Sequence, residues 1–487
     1  MTRRWLWAVV VVTLVCGGLR ARVALSPEAR QSADERSYVG VALGLAQTGR
    51  YGKQSLHWPP GAPVAFAAAA KLGGRVERGP APDIPAAYWV QWAAGTAVIP
   101  LVFALALAAG GASQRRVRGW PATGRRAAAA VSPRSAAEGG AARACWAGLV
   151  AAAIVATYPP LVDATGDLLS EPLGALWLTG ALLAVARRRY AAGGVLLAAA
   201  VLTRANLLVL IAVVALAAGR RGGPVLAVAA LVPVVAWSVD VGAPVTTGGG
   251  SSLFVGTFLP GDGTLPGAKR ALKGETVRFA PELRGRHAKD LPGERVLDAV
   301  AAREGGLDRD AALRRQALRN LTTYPREQPV AFAVMVAKKV PRLWLGPSRG
   351  GGPRTPAPLR LWHALLVVLA VAGLLRAREK TMLAVLVAFT LFHLIAGAMP
   401  RYALPLLPAL IATGAAGWFA QPRTTASVRA YSAPLRRASM SAGPSVATAL
   451  RIARRRNASS PASQLATPSP AATAAKPTAP KSSEERS

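Results

Sequence analysis

Cysteine is nearly absent: the 487 residues hold two, Cys16 and Cys145, each inside an apolar run. They have no metal-ligand spacing and form no disulfide framework, which removes zinc modules and disulfide-stapled domains from consideration. Acidic residues are also scarce, 23 Asp and Glu against 59 Lys and Arg, for a formal net charge of +36. Such an excess invites a nucleic-acid reading, but the chain carries no basic patch interleaved with aromatics and no nucleic-acid motif. Its arginines fall in short clusters beside apolar runs and toward the C-terminus, as the positive-inside rule expects. The opening segment has a basic start and an apolar core, yet no small-x-small cleavage site follows it. Thr13 stands where a lipoprotein signal places leucine ahead of Cys16. The opening is therefore read as an uncleaved first membrane helix. No repeat of fixed period occurs, which argues against the repeated halves of many transporters.

What the chain has is apolar length. Hydrophobic residues make up 52% of it, in recurring runs long enough to cross a hydrocarbon core of about 20 residues. Candidate spans are 5–24, 84–110, 144–161, 172–186, 191–219, 224–239, 361–375, 381–398 and 403–420. Basic clusters separate them: Arg3 and Arg4, the arginines between 115 and 143, Arg187 to Arg189, Arg220 and Arg221, Arg376 to Lys380, and Arg423. If all face the cytoplasm, the number of crossings between successive clusters is even. The run 191–219 breaks this rule, since it lies between two clusters and holds Arg204 near its middle. One helix there would be about 44 Å long at the standard rise, more than a bilayer needs. An unpaired arginine at the bilayer centre costs ~2.5–3.5 kcal/mol. Two short helices with Arg204 at their outer turn remove both difficulties. The expectation is an all-α polytopic membrane protein of about ten transmembrane helices, in residues 1–420, with both termini cytoplasmic.

That topology places five polar elements outside: 26–83, 162–169, the turn at Arg204, the long segment 240–360, and Met399 to Tyr402. The long segment opens on a glycine-rich stretch suited to backbone contact with a ligand. Its residues 329–345 read as a helix lying at the interface, with Lys338, Lys339 and Arg342 among apolar positions. Residues 421–487, rich in Pro, Ala, Ser and Thr and strongly basic, read as a disordered cytoplasmic tail.

Four groups of outer residues carry possible chemistry. Asp34 and Glu35 form a carboxylate pair at the start of a short amphipathic helix. Acidic residues suit a helix N-terminus on electrostatic grounds alone, and a carboxylate held at a membrane surface also suits deprotonation of an acceptor hydroxyl. The sequence His57-Trp58-Pro59-Pro60-Gly61 is a stiff entry to a helix, with Trp58 an anchor at headgroup depth. Asp163, Asp167 and Glu171 lie within nine residues between two spans. There Ser170 reads as a helix cap, while Asp163 or Glu171 suits positioning of an acceptor or of the loop arginines. Arg204, Arg401 and Tyr402 complete the set, a guanidinium being a planar fork for phosphate oxygens.

Together these residues resemble the lipid-dependent glycosyltransferases of the GT-C fold, in the branch of the protein O-mannosyltransferases and aminoarabinose transferases. The resemblance rests on A-D-E-x-x-Y at 33–38, G-R-Y at 49–51, W-P-P-G-A-P at 58–63 and Y-P-P…S-E-P-L over 158–173. L-T-R at 202–204, T-T-G-G-G-S-S-L-F-V-G at 246–256 and P-R-Y-A-L-P-L-L-P at 400–408 follow in order. It implies a polyprenyl-phosphate sugar donor, inversion at the anomeric carbon, and a lipid, polysaccharide or protein acceptor at the outer face of the plasma membrane. It further implies that Asp34, with Glu35 beside it, is the catalytic carboxylate, with no resident cofactor required and a divalent metal left open. Relatives often carry a basic residue where this chain has Trp58 and an acidic one where it has His57. The donor phosphate would then fall to Arg36, Lys53, Arg204, Arg401 and Tyr402, and the acceptor to His57, Asp163, Asp167 and Glu171. Two other readings remain, a non-catalytic scaffold for envelope assembly and a transporter or flippase.

Overall fold

A computed structural model describes residues 3–25, 32–52, 56–73, 83–118, 133–305, 308–346 and 356–420. Lys53 and the C-terminal stretch expected to be a tail lie outside the described residues. Those that are described are helical, with no sheet. The protein is an all-α, multi-pass membrane protein. Among the described residues, six helices are long and apolar enough to cross a membrane, fewer than the ten expected. They are α1 (Arg3–Ala24), α4 (Pro85–Arg118), α5 (Pro133–Thr157), α9 (Val209–Asp240), α16 (Ala357–Ala377) and the closing pair α18 (Pro400–Ala403) and α19 (Leu407–Phe419). Three shorter apolar helices accompany them: α7 (Glu171–Ala186), α8 (Tyr190–Thr203) and α17 (Lys380–Ile395). Helix α9 is broken at Gly219, whose φ of 77° and ψ of −177° are not helical. The difference from the sequence expectation is one of length, because α7, α8 and α17 hold only 14 to 16 residues.

Burial explains which of these are central. Helices α7 and α19 are apolar all round and almost wholly enclosed, as a helix with no polar face must be. The main core joins them to α4, α5, α8, α9, α16 and α17 through residues such as Leu178, Leu197, Leu210, Phe389 and Leu410. Helices α16 and α19 approach so closely that a side chain on Gly414 would collide with the Ala370 backbone, the small-residue contact common between membrane helices. Helix α1 and the second limb of α9 are peripheral, exposing Trp7, Val11, Leu14, Val232, Val235 and Val239.

The pieces between the apolar helices are shorter. Helix α2 (Ala33–Thr48) and α3 (Gly61–Gly73) pack on α4 through Tyr38, Val39, Ala42, Phe66 and Ile84. The run expected to be one span over 144–161 stops at Thr157, and Pro159 opens the separate α6 (Pro159–Asp163), because proline has no N–H to continue the helix. The long segment between the two limbs of apolar helices folds into α10 (Gly249–Thr257), α11 (Leu265–Ala271), α12 (Lys273–Phe279), α13 (Gly293–Ala301), α14 (Arg309–Glu327) and α15 (Pro329–Trp344). Phe254, Phe258, Leu272, Val296 and Leu313 give it a small core.

Candidate active site

The carboxylate pair is divided by helical geometry. Ser32 caps α2, accepting from the Glu35 N–H, while the Glu35 carboxylate accepts from the Ser32 N–H, a complete capping box. Residue 35 shares its face with Val39 and Ala42, so Glu35 is 2% exposed. Its carboxylate also accepts from the Leu168 N–H at 2.9 Å and the Tyr88 hydroxyl at 3.4 Å. Burial raises its pKa to about 7, with the nearby Asp167 adding to the rise and the bonds from Leu168 and Ser32 opposing it. Glu35 therefore ties α2 to the 164–169 turn and does not face the site beside Asp34.

Asp34 turns about 100° away and meets α18. Its Oδ2 lies 2.5 Å from Arg401 Nη2, with the two side chains 35% and 22% exposed. The Arg401 Nε is buried and has no hydrogen-bond partner among the described residues. A second pair stands behind this one: Arg204 Nη1 is 2.9 Å from Glu171 Oε1, at 7% and 5% exposure. Helix α8 ends at Thr203 and Arg204 takes an extended backbone, so the guanidinium leaves the apolar run at a helix break. It donates to Ser170 Oγ at 2.9 Å and lies 5.8 Å from the Tyr402 ring centroid. Ser170, expected as a helix cap, makes no capping bond and holds Arg204 instead.

Aromatic groups wall this network. Tyr38, one turn after Asp34, packs on Trp58 with centroids 4.6 Å apart, and burial pushes its phenol up to about 12. Trp58, expected as a headgroup anchor, is half-buried against α2. Tyr402 packs on His393 at 5.4 Å, and His393 reaches Asn206 at 3.4 Å. His57 stands edge-on to Trp58 at 5.1 Å, and its carbonyl accepts from Thr246 Oγ1 at 2.6 Å. Burial lowers its imidazole, and the neighbouring Arg309 acts in the same direction.

The remaining expected residues are scattered. Arg36 is on the exposed side of α2. Asp163 ends α6, and Asp167 follows the next turn, its carbonyl accepting from Gln91 at 2.8 Å. The glycine-rich stretch, expected to be a turn, forms most of helix α10. Asp310 Oδ1 accepts from the Gly250 N–H at 2.6 Å, and Gly250 and Gly256 mark close backbone approaches to residue 310 and to Ala396. Among the described residues no group of three metal-binding side chains occurs. Asp34, Arg401, Glu171, Arg204, Ser170, Tyr38 and Tyr402 thus come together from four regions of the chain.

No protein-family model matches the sequence, and no curated protein matches it. A solved structure similar to the chain is the crystal structure of ArnT from Cupriavidus metallidurans in the apo state, at 17% identity and a TM-score of 0.32, covering 85% of this chain and 77% of that one.

Chemically, the cluster alternates in sign: Asp34, Arg401, Glu171, Arg204. Arg204 is held by a carboxylate, a hydroxyl and a ring, whereas Arg401 keeps an unpartnered nitrogen and partial exposure. Of the two guanidiniums, Arg401 is the one placed to exchange partners.

Proposed function

We propose that the protein is a membrane glycosyltransferase of GT-C type that moves a sugar from a polyprenyl-phosphate donor to an acceptor on the outer side of the plasma membrane, with inversion. The observation that carries this reading is the ion pair between Asp34 and Arg401, which joins a partly exposed carboxylate to a guanidinium at one end of an apolar bundle. Counting the three short apolar helices, and α9 as two limbs about Gly219, gives ten crossings. Asp34, Arg204, Arg401 and the long segment then share the outer side.

In the reaction, the donor phosphate competes with Asp34 for Arg401. As Arg401 turns to the phosphate, the freed Asp34 carboxylate takes the proton of the acceptor hydroxyl. The acceptor oxygen forms its bond to the anomeric carbon while the bond from that carbon to the phosphate oxygen breaks. Polyprenyl phosphate leaves with the electron pair, and Arg401 stabilises its charge. Glu171, Ser170 and Tyr402 hold Arg204 behind the site, where its charge adds to the field without moving. Glu35 is assigned to positioning, and Tyr38 and Trp58 form a wall.

The test is transfer of radiolabelled sugar from a panel of polyprenyl-phosphate donors by the full chain in lipid nanodiscs. Turnover by the wild type and a loss on the order of 10²–10⁴ in Asp34→Asn are expected. Equal rates for the two would sink the mechanism. Absence of turnover with every donor would favour the scaffold.

A further inference from the structure

Lys339 occupies a position where the pattern of α15 calls for leucine. It lies in the buried stripe with Met335 and Leu343 and is 1% exposed. Among the described residues it has no ion pair, and the nearby Asp262 is taken by Lys338 and Arg342. Burying an ammonium without a carboxylate is costly unless its N–H groups are satisfied. Here they meet the C-terminus of α17, at 2.7 Å from the Leu394 carbonyl, 3.2 Å from Ala396 and 3.5 Å from Ile395. These are carbonyls a helix end leaves without partners, at the negative end of its dipole.

The contact matters because of the chain just beyond α17. Residues 396–399 form a short strap between Ile395 and the start of α18, and the strap leads directly to Arg401. It is held on its other side by α10, where the Gly397 N–H donates to the Ser252 carbonyl at 2.9 Å. Gly256 leaves no room for a side chain against Ala396, and Gly346, just after α15, lies against Pro400. The long outer segment thus grips the strap through both α10 and α15.

We propose that Lys339 is a positioning residue for the anion site: by fixing the exit of α17 it sets where the strap delivers Arg401. The proposal rests on reading Arg401 as the donor phosphate's partner. Lys339 touches no substrate and acts only through the backbone of 394–396.

Two readouts on the full chain in nanodiscs decide it. In the first, undecaprenyl phosphate is titrated against wild type, Lys339→Met, Arg401→Ala and the double variant. Lys339→Met should weaken binding on the order of tenfold to a hundredfold and add nothing further in the Arg401→Ala background, because neighbours acting as one unit are not additive. Equal losses in both backgrounds would overturn the proposal. In the second, spin labels at Gly40→Cys and Met399→Cys report the distance from α2 to the strap, which should broaden in Lys339→Met. An unchanged distance distribution would overturn it as well. If Arg401→Ala binds undecaprenyl phosphate like the wild type, the phosphate reading fails, and the spin-label distances still decide whether Lys339 fixes the strap.

Discussion

Asp34 and Glu35 are neighbours in sequence with opposite fates, and a helical projection explains it. Position 35 falls in line with Val39 and Ala42, whereas 34 falls in line with Tyr38, which is buried against Trp58 on the side of the site. Glu35 should therefore make itself known through stability, not turnover. Its pKa is raised by burial from 4.5 to about 7, so between those values the folded state binds more protons than the unfolded one. Stability contributed by the protonated form is complete below the unfolded pKa and is lost as pH rises through about 7. Thermal unfolding of the wild type in nanodiscs should show a downward slope from pH 5 to pH 8, and Glu35→Gln should flatten it. A slope that is the same in both would remove the buried acid from this role. Arg401 is the complementary case. Its alanine variant should weaken polyprenyl-phosphate binding by about 1.5–3 kcal/mol, the usual worth of a hydrogen bond to a charged group, as measured by direct titration.

At the scale of elements, the break before Arg204 was legible because an arginine in an overlong apolar run admits few solutions. The role of Ser170 was not, since the side chain that claims it arrives from another helix. Lys339 misled for a similar reason. Beside Lys338 and Arg342 it looks like one more interfacial cation, and only the carbonyls of α17, more than fifty residues later, reveal that it points inward. Local pattern reports which face is polar but not what a buried polar group meets. Two predictions belong here. Glu171→Ala leaves Arg204 buried without its carboxylate, which should cost ~3–5 kcal/mol, while the paired change Glu171→Leu with Arg204→Met should recover much of that loss. Thermal denaturation of the three proteins checks it. Gly61→Ala should also lower the melting temperature, because the added carbon meets the Thr203 backbone and drives α3 off α8 beside the Arg204 break. A variant as stable as the wild type would contradict that contact.

For the whole molecule, the apolar bundle was readable from composition, and its count was not. Length alone picks six helices among the described residues; the three shorter ones fall below that length, and α9 runs together two limbs about Gly219. The proposed topology is checked by a reporter fused at Thr247, which should be extracytoplasmic. A cytoplasmic reporter would put the long segment on the wrong side. The pairing of Asp34 with Arg401 also has a consequence for biosynthesis. Arg401 leaves the ribosome about 370 residues after Asp34, roughly 20–70 s later at 5–20 residues per second. Through that interval the nascent chain carries Asp34 without its guanidinium partner, so on the proposed reading the donor site is completed only once the segment bearing Arg401 has been made.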